Sequence, residues 1–428
     1  MTLETTLVVL VAVGMSAALY AYVGFPMLAA MLGAVCTRRR ALIDRRHERR
    51  KVTVVISAYN EERSLEAKIR NVLETDYPHD RLQVLVVSDA STDRTDEIAR
   101  SFHDRGVRLI VQPTRRGKSL GLNDAVEAAR GDIVVFTDAN AAFTPATIPT
   151  LVRYFTDPAV GLVTGYTRHV ARGAGEVAHA TNVYTSLERV IKIAESRWGC
   201  CVGADGAVFA LRRSLFTPLQ YDDINDFVIP LSVIQQGSEC LYATGAFCLE
   251  PTGESVMSEF RRQARITNRT LRALWRHADL LNPFRFGLFS FFLFSHKIVR
   301  FLVPVLMTVA VLALGLLAGL HMPSLVGAAF IVAALALATR KAPIPEAGLV
   351  AQVARPLRML DIAVTMHVAA LQGWWHFLNG RRDVIWQHDR VQKESGTRKR
   401  ESTGSRKQEA TISKESDSST VALKIAPD

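Results

Sequence analysis

The sequence is poor in the features of a secreted, cross-linked protein. Its five cysteines, Cys36, Cys200, Cys201, Cys240 and Cys248, form no CxxC spacing and make an odd count. That argues against a disulfide framework and fits reduced thiols in a cytosolic domain. Charge is absent altogether between Thr5 and Thr37. A bilayer core needs roughly 20 apolar residues, so this stretch is long enough to cross one. It also lacks the basic start and short apolar core of a secretory leader. Glu4 precedes the run and Arg38, Arg39 and Arg40 follow it, so it reads as a retained span.

What the chain has in excess is positive charge, a net +11 over 428 residues. A basic balance can signal nucleic acid, but its placement argues against that partner. Much of the excess lies between Arg38 and Lys51, directly after the first apolar run, and near the later ones. This is the pattern of basic clusters facing headgroups on the cytoplasmic side of a membrane. Hydrophobic residues make up 49% of the chain and gather at its two ends. One soluble domain flanked by membrane segments is therefore expected.

Strand and helix signals alternate through that domain. Val52–Ser57, Gln83–Ser88, Val107–Gln112 and Asp132–Thr137 are short apolar strands, separated by helical patterns around Leu65–Leu73, Asp96–His103 and Ser119–Ala129. Continuous apolar strands alternating with amphipathic helices predict an α/β fold with a mostly parallel sheet covered on both faces. Ligands of such sheets bind beyond the carboxyl ends of the strands. Further on, a long helix is expected over Glu176–Arg197 and an amphipathic, surface-lying one over Phe260–Trp275. Phe286–Ser295 is apolar but too short to span and reads as interfacial; Phe301–Leu320 is long enough. A turn at His321–Ser324 leads to Leu325–Thr339, and a weaker segment, Met359–Asn379, ends near the aromatic pair Trp374 and Trp375. From His388 the chain is polar and reads as disordered. The resulting division is a span at 1–37, a basic linker at 38–51, a catalytic domain at 52–252, interfacial helices at 253–297, a membrane region at 298–380 and a tail at 388–428. One span in front and three behind would put Arg381 and Arg382 opposite the domain, although arginines prefer the cytoplasmic side. Either the last segment does not cross, or another, such as Ala342–Ala354, contributes.

Polar residues follow each strand. They are Asn60 and Glu61, the run Ser88–Asp93, the run Lys118–Asn123, and Asp138, Ala139 and Asn140. Together, from Val54 to Asn140, they resemble the nucleotide-binding half of family-2 glycosyltransferases. The resemblance runs through the C-terminal apolar segments, and its nearest form is the membrane synthases of β-linked polysaccharides such as cellulose, hyaluronan and poly-N-acetylglucosamine. It implies a GT-A (Rossmann-like) nucleotide-sugar domain between N- and C-terminal transmembrane helices, in a multi-pass protein of the cell membrane. The catalytic domain would face the cytoplasm.

The same resemblance gives the residues roles. Asp89 matches the nucleobase contact and Lys118 a position near the donor, with Asn60 and Glu61 beside them. Asp138 would hold the diphosphate of a UDP-sugar through Mg²⁺ or Mn²⁺, an oxygen-seeking cation. The family pattern there is Asp-x-Asp; this chain has Asn140 as the second ligand. Gly203–Ala207 matches a segment lining the acceptor site. Asp226 matches the catalytic base, with Asn225 where the family has Glu and with Asp222 and Asp223 as competitors. Arg262 and Arg265 match a Gln/Arg-x-x-Arg-Trp motif suited to the leaving diphosphate, and Ile266 stands in the tryptophan position. Plainer readings exist: Asp89 as a turn residue, Asp93 as a helix cap, Glu61 as a helix-terminal carboxylate, and the arginines as headgroup contacts. The expected reaction is inverting transfer to a polysaccharide or glycan. A lipid acceptor and a non-catalytic scaffold are the alternatives.

Overall fold

The computed structural model describes residues 2–36, 50–170, 176–251, 256–324 and 349–382. The basic linker, the Leu325–Thr339 run, most of Ala342–Ala354 and the polar tail lie outside them.

Among the described residues eight strands form one sheet: β1 (Val52–Ala58), β2 (Leu82–Ser88), β3 (Val107–Val111), β4 (Ile133–Asp138), β5 (Ala142–Phe143), β6 (Val160–Val170), β7 (Phe209–Arg212) and β8 (Glu239–Pro251). Their order is β3-β2-β1-β4-β7-β6-β8-β5. The first four in that order are parallel, as the alternation of apolar strands and helices requires. The second half is mixed, because β7 runs antiparallel to both β4 and β6.

The period of two along the central strands sorts their side chains between two cores. Val54, Ile56, Val84, Val86 and Val135 meet Leu65, Ile69 and Val72 on one face. Val55, Leu85, Val87, Val134 and Phe136 meet Leu122, Ala125 and Val126 on the other. Both faces are therefore buried, and polar function is confined to the strand ends.

Among the described residues, two apolar helices are long enough to cross a membrane: Leu3–Val35 and Leu288–His321, with mean hydropathies of 2.1 and 2.6. They lie side by side, so close that a Cβ on Gly14 would fall 2.6 Å from Ala310 Cβ. Small residues at such crossings let the backbones approach. Each helix loosens into a π-helical turn, Tyr20–Gly24 and Phe294–Val299, and there the Tyr20 hydroxyl meets Ser295 Oγ at 2.8 Å. One end of the pair is marked by His321 and Glu4, 3.2 Å apart. The other end abuts the α/β domain, where Arg197 donates to the Gly33 carbonyl at 2.8 Å and Trp198 to that of Leu32 at 3.0 Å.

Two expectations are corrected here. The segment Phe286–Ser295 is not a separate interfacial piece. From Leu288 it is the first part of the second long helix, with Phe289, Phe292 and Leu293 buried in the core beneath the sheet, where the Phe292 ring meets Phe25. The helix Val256–Arg276 is amphipathic but does not merely lie on a surface. Its Ala264 and Thr267 press against Gly373 of the last helix, Leu349–Leu378, at a spot where any side chain would collide. That last helix ends on the α/β side: the Arg381 carbonyl accepts from Asn268 and Arg272, both at 2.9 Å, and Arg382 reaches the Tyr221 hydroxyl. Arg381 and Arg382 thus sit beside the α/β domain. Trp374 is turned inward, donating to the Phe301 carbonyl at 2.7 Å, while Trp375 remains exposed.

Candidate active site

The carboxyl ends of β1 and β2 are laced together. Asn60 and Ala90 take left-handed backbone conformations, with φ of 52° and 54°. Asn60 tolerates this because its short amide bonds locally, and its Oδ1 accepts from Thr92 N at 2.8 Å. Glu61 faces the start of the following helix, where Ser64 donates to its carboxylate and Thr95 Oγ1 accepts from its backbone at 2.8 Å. Asp93 accepts from Thr95 N at 3.0 Å, a capping contact. Asp89 is buried and accepts from Arg116 N at 2.9 Å and Gly117 N at 3.0 Å. Gly117 has a φ of 88°, which a side chain would oppose. Asp89 therefore shapes the loop that delivers Lys118. Arg115 is stacked over Tyr59 at 3.6 Å, at the edge of the same cleft.

Lys118 crosses to the end of β4 and pairs with Asp138 Oδ1 at 2.5 Å. The structure thus brings these two candidates into contact. Asn140 donates from Nδ2 to Glu250 Oε1 at 2.9 Å. Glu250 was missed, although it stands at the end of β8 just before Pro251, the same strand-end position that flagged the others. Burial and the charge of Asp138 push its carboxyl up to about 7. Beneath this turn lies fully buried Lys68, also missed. Its ammonium donates to the Ala141 carbonyl at 2.5 Å and sits 3.5 Å from the Phe143 ring centre, and burial pulls its pKa down to about 7.

In the Gly203–Ala207 segment, Ala204 N donates to the Asp226 carbonyl at 2.7 Å, and a Cβ on Gly206 would stand 3.0 Å from Asp226 Oδ2. Glycine at 206 is what leaves the carboxylate its space. No hydrogen bond to the Asp226 carboxylate occurs among the described residues. Burial raises its pKa against the opposing pull of Lys118 and Lys192. Its two competitors are occupied: Asp222 meets Arg276 at 2.7 Å and Asp223 pairs with the same guanidinium. Asn225 is buried and its Nδ2 lacks a partner among the described residues. Asp205 turns away to Thr167, accepting at 2.8 Å from both its backbone N and its Oγ1. Asn123, at the end of the run that opens on Lys118, clamps Leu219 through two 2.9 Å bonds.

Arg262 pairs with Glu259 at 2.8 Å and lies near enough to Glu250 and Asp226 to feel their charge. Arg265 is half-buried three residues on, along the same helix. The face continues to Arg269, which the sequence reading passed over. It donates to the carbonyls of Asp222 and Asp223 and to Ser119 Oγ, tying the Asp226 loop to the Lys118 helix. Repetition of arginine along one face was the available signal.

The group that the fold family implies here is a divalent cation. Asp138, the Asn140 amide oxygen and Glu250 are all oxygen donors, as such an ion prefers. Among the described residues no set of three His, Cys, Asp or Glu side chains converges, so two carboxylates and an amide are what the chain offers.

Known proteins are similar to this chain in sequence and in fold. Residues 53–217 match the family model described as Glycosyl transferase family 2. Over 226 residues the chain is 27% identical to the probable glycosyltransferase YdaM of Bacillus subtilis, covering 50% of this chain and 54% of that protein. It is 23% identical over 220 residues to a poly-beta-1,6-N-acetyl-D-glucosamine synthase of Staphylococcus aureus, covering 50% and 53%. The chain thus matches about half the length of these curated relatives. Its fold is similar to that of the mannosyltransferase PcManGT from Pyrobaculum calidifontis, solved in complex with GDP-Man and Mn²⁺. The TM-score is 0.64 at 23% identity, over 88% of this chain and 99% of that one. Residues 53–217 are thus similar to a family-2 glycosyltransferase domain, within a fold that is GT-A-like.

Proposed function

We propose that the protein is a membrane glycosyltransferase that moves a sugar, with inversion, from a nucleoside-diphosphate sugar to a hydroxyl of a glycan acceptor. The observation that carries this reading is the free carboxylate of Asp226, held over Gly206 opposite the Lys118–Asp138 pair. A sugar hydroxyl is a poor nucleophile until its proton is removed, and a positioned base supplies that step. Asp226 accepts the proton as the acceptor oxygen attacks the anomeric carbon and the bond to the nucleoside diphosphate breaks. Lys118, Arg262 and Arg265 would receive the charge of the departing diphosphate. Asp138 and Asn140 would hold Mg²⁺ or Mn²⁺, which neutralises diphosphate charge when bound. Asn60, Glu61 and Asp89 shape the nucleotide end, chiefly by fixing the loops around it.

The two long apolar helices support a bilayer as the setting, with the α/β domain and Arg381–Arg382 on its cytoplasmic side. A lipid acceptor is the second reading. Lys297, from the second of these helices, comes within 3.9 Å of the Cβ position on Gly203, so the acceptor side of the cleft adjoins the helix that would meet lipid.

The test is purified, detergent-solubilised protein given UDP-glucose, UDP-N-acetylglucosamine, UDP-glucuronate and GDP-mannose, each radiolabelled, with membrane extract as acceptor source. Transfer from one donor that disappears in Asp226→Asn supports the reading. A high-molecular-weight product identifies a glycan acceptor and a chloroform-soluble one a lipid. Unchanged turnover in Asp226→Asn removes Asp226 from the mechanism, and nucleotide binding without transfer from any donor points to a scaffold.

A further inference from the structure

We propose that Glu250 supplies the second carboxylate of the cation site, standing in for the aspartate that Asn140 replaces. The inference rests on the nucleotide-sugar reading above and names a residue of that same site.

Strand register puts Glu250 there. β5 and β8 pair antiparallel, Ala142 with Leu249 and Phe143 with Cys248. Continued by one step, the register sets Glu250 opposite Ala141, beside the turn that carries Asp138 and Asn140. Asn140 Nδ2 then donates to Glu250 Oε1 at 2.9 Å. That bond fixes which way the amide faces. It leaves Asn140 Oδ1 and Glu250 Oε2 without hydrogen-bond partners among the described residues, just as Lys118 engages only Oδ1 of Asp138. Three oxygens on one turn and one strand end therefore remain to accept.

Rigidity is built in from behind. Lys68 holds the Ala141 carbonyl, and Asn71 brackets Phe143, its Nδ2 donating to the carbonyl at 2.8 Å and its Oδ1 accepting from the amide at 2.7 Å. The turn cannot readily shift to bring another ligand in, so the charge that Asn140 lacks has to come from a side chain already at hand. Glu250 is that side chain, and Arg262 is near enough to limit the repulsion between it and Asp138.

The experiment is a titration of Mn²⁺ into the full-length, detergent-solubilised chain with saturating UDP, following free Mn²⁺ by electron paramagnetic resonance. UDP affinity is measured separately in EDTA, and GDP replaces UDP in a parallel series. Glu250→Gln should weaken Mn²⁺ binding about tenfold or more. Its UDP affinity in EDTA should stay within twofold of the unaltered chain. Asn140→Asp with Glu250→Gln should recover most of the loss, since the carboxylate is returned one residue away. Glu250→Asp, which keeps the charge on a shorter stem, should fall between, and serves if the glutamine variant does not fold. Mn²⁺ affinity within twofold of the unaltered chain in Glu250→Gln overturns the proposal. So does an equal loss of UDP affinity in EDTA, which would mark a packing role. Nucleotide binding by the unaltered chain that ignores Mn²⁺ overturns this inference alone, whereas binding of neither UDP nor GDP overturns the nucleotide-sugar reading with it.

Discussion

Replacing Arg276 by alanine leaves Asp222 and Asp223 buried beside each other with no cation on their carboxylates. Their side chains are only 4% and 5% exposed, and Arg276 itself 25%. Removing one partner of a buried ion pair costs about 3–5 kcal/mol, because the remaining charge stays desolvated. Arg276 is partly open to water, which argues for the lower end, about 3 kcal/mol. Arg269 keeps its bonds to the two carbonyls, so the loop is not freed altogether. The contrasting case is Arg70 and Glu66, 52% and 56% exposed, where loss of the pair should cost about 0.3–0.5 kcal/mol. Thermal unfolding in detergent, followed by tryptophan fluorescence, compares the two. For a domain of this size the melting temperature should fall by about 6–12 °C in Arg276→Ala and by no more than about 2 °C in Arg70→Ala. Combining Asp222→Asn and Asp223→Asn with Arg276→Met should restore much of the loss, since no unpaired charge remains. If Arg276→Ala melts with Arg70→Ala, the two aspartates are not the structural pair described, and their exclusion as bases fails with it.

Asp226→Asn should behave in the opposite way. With no hydrogen bond to lose at its carboxylate, it should melt close to the unaltered protein while kcat falls about 10²–10⁴-fold. Lys118→Met should weaken binding of the donor diphosphate and, by removing a charge that holds Asp226 down, move the lower limb of the pH–rate profile upward. Stability against pH, read by melting in EDTA, should carry two opposed slopes. Glu250 is raised from 4.5 to about 7, so the folded state binds its proton more readily; this favours folding at low pH and is lost as pH climbs from 4.5 through 7. Lys68 is lowered from 10.5 to about 7, so its contribution grows as pH climbs from 7 towards 10.5. Glu250→Gln should flatten the first slope and Lys68→Met the second. A cysteine placed at Arg382 and one at His321 should be labelled from opposite sides of intact vesicles by an impermeant maleimide. Labelling of both from one side would refute the proposed crossing.

The chain order alone settled a good deal. The continuous apolar runs at Val52–Ser57 and its neighbours, with helices between, demand a parallel sheet buried on both faces, and that confines polar chemistry to strand ends. Asp138 was legible as a candidate for this reason, since an uncompensated carboxylate after an apolar strand is costly to bury, whereas Lys118 came from the family resemblance. Two long stretches without charge were equally plain. What sequence could not report was contact across distance. Asp226, Asp222 and Asp223 are indistinguishable as letters; Arg276, more than fifty residues later, occupies two of them and leaves the third. Asn123 lies one helical turn beyond Lys118, yet the chain returning at Leu219 claims its amide. Phe289 and Phe292 read as an isolated apolar patch until the sheet's own core supplied their partners. Glu250 and Lys68 reach the cation turn only through strand register and helix packing, which depend on where β8 and the first core helix come to lie. Local pattern specifies where polar groups can be. Tertiary structure decides which of them are consumed by one another and which remain to meet a substrate.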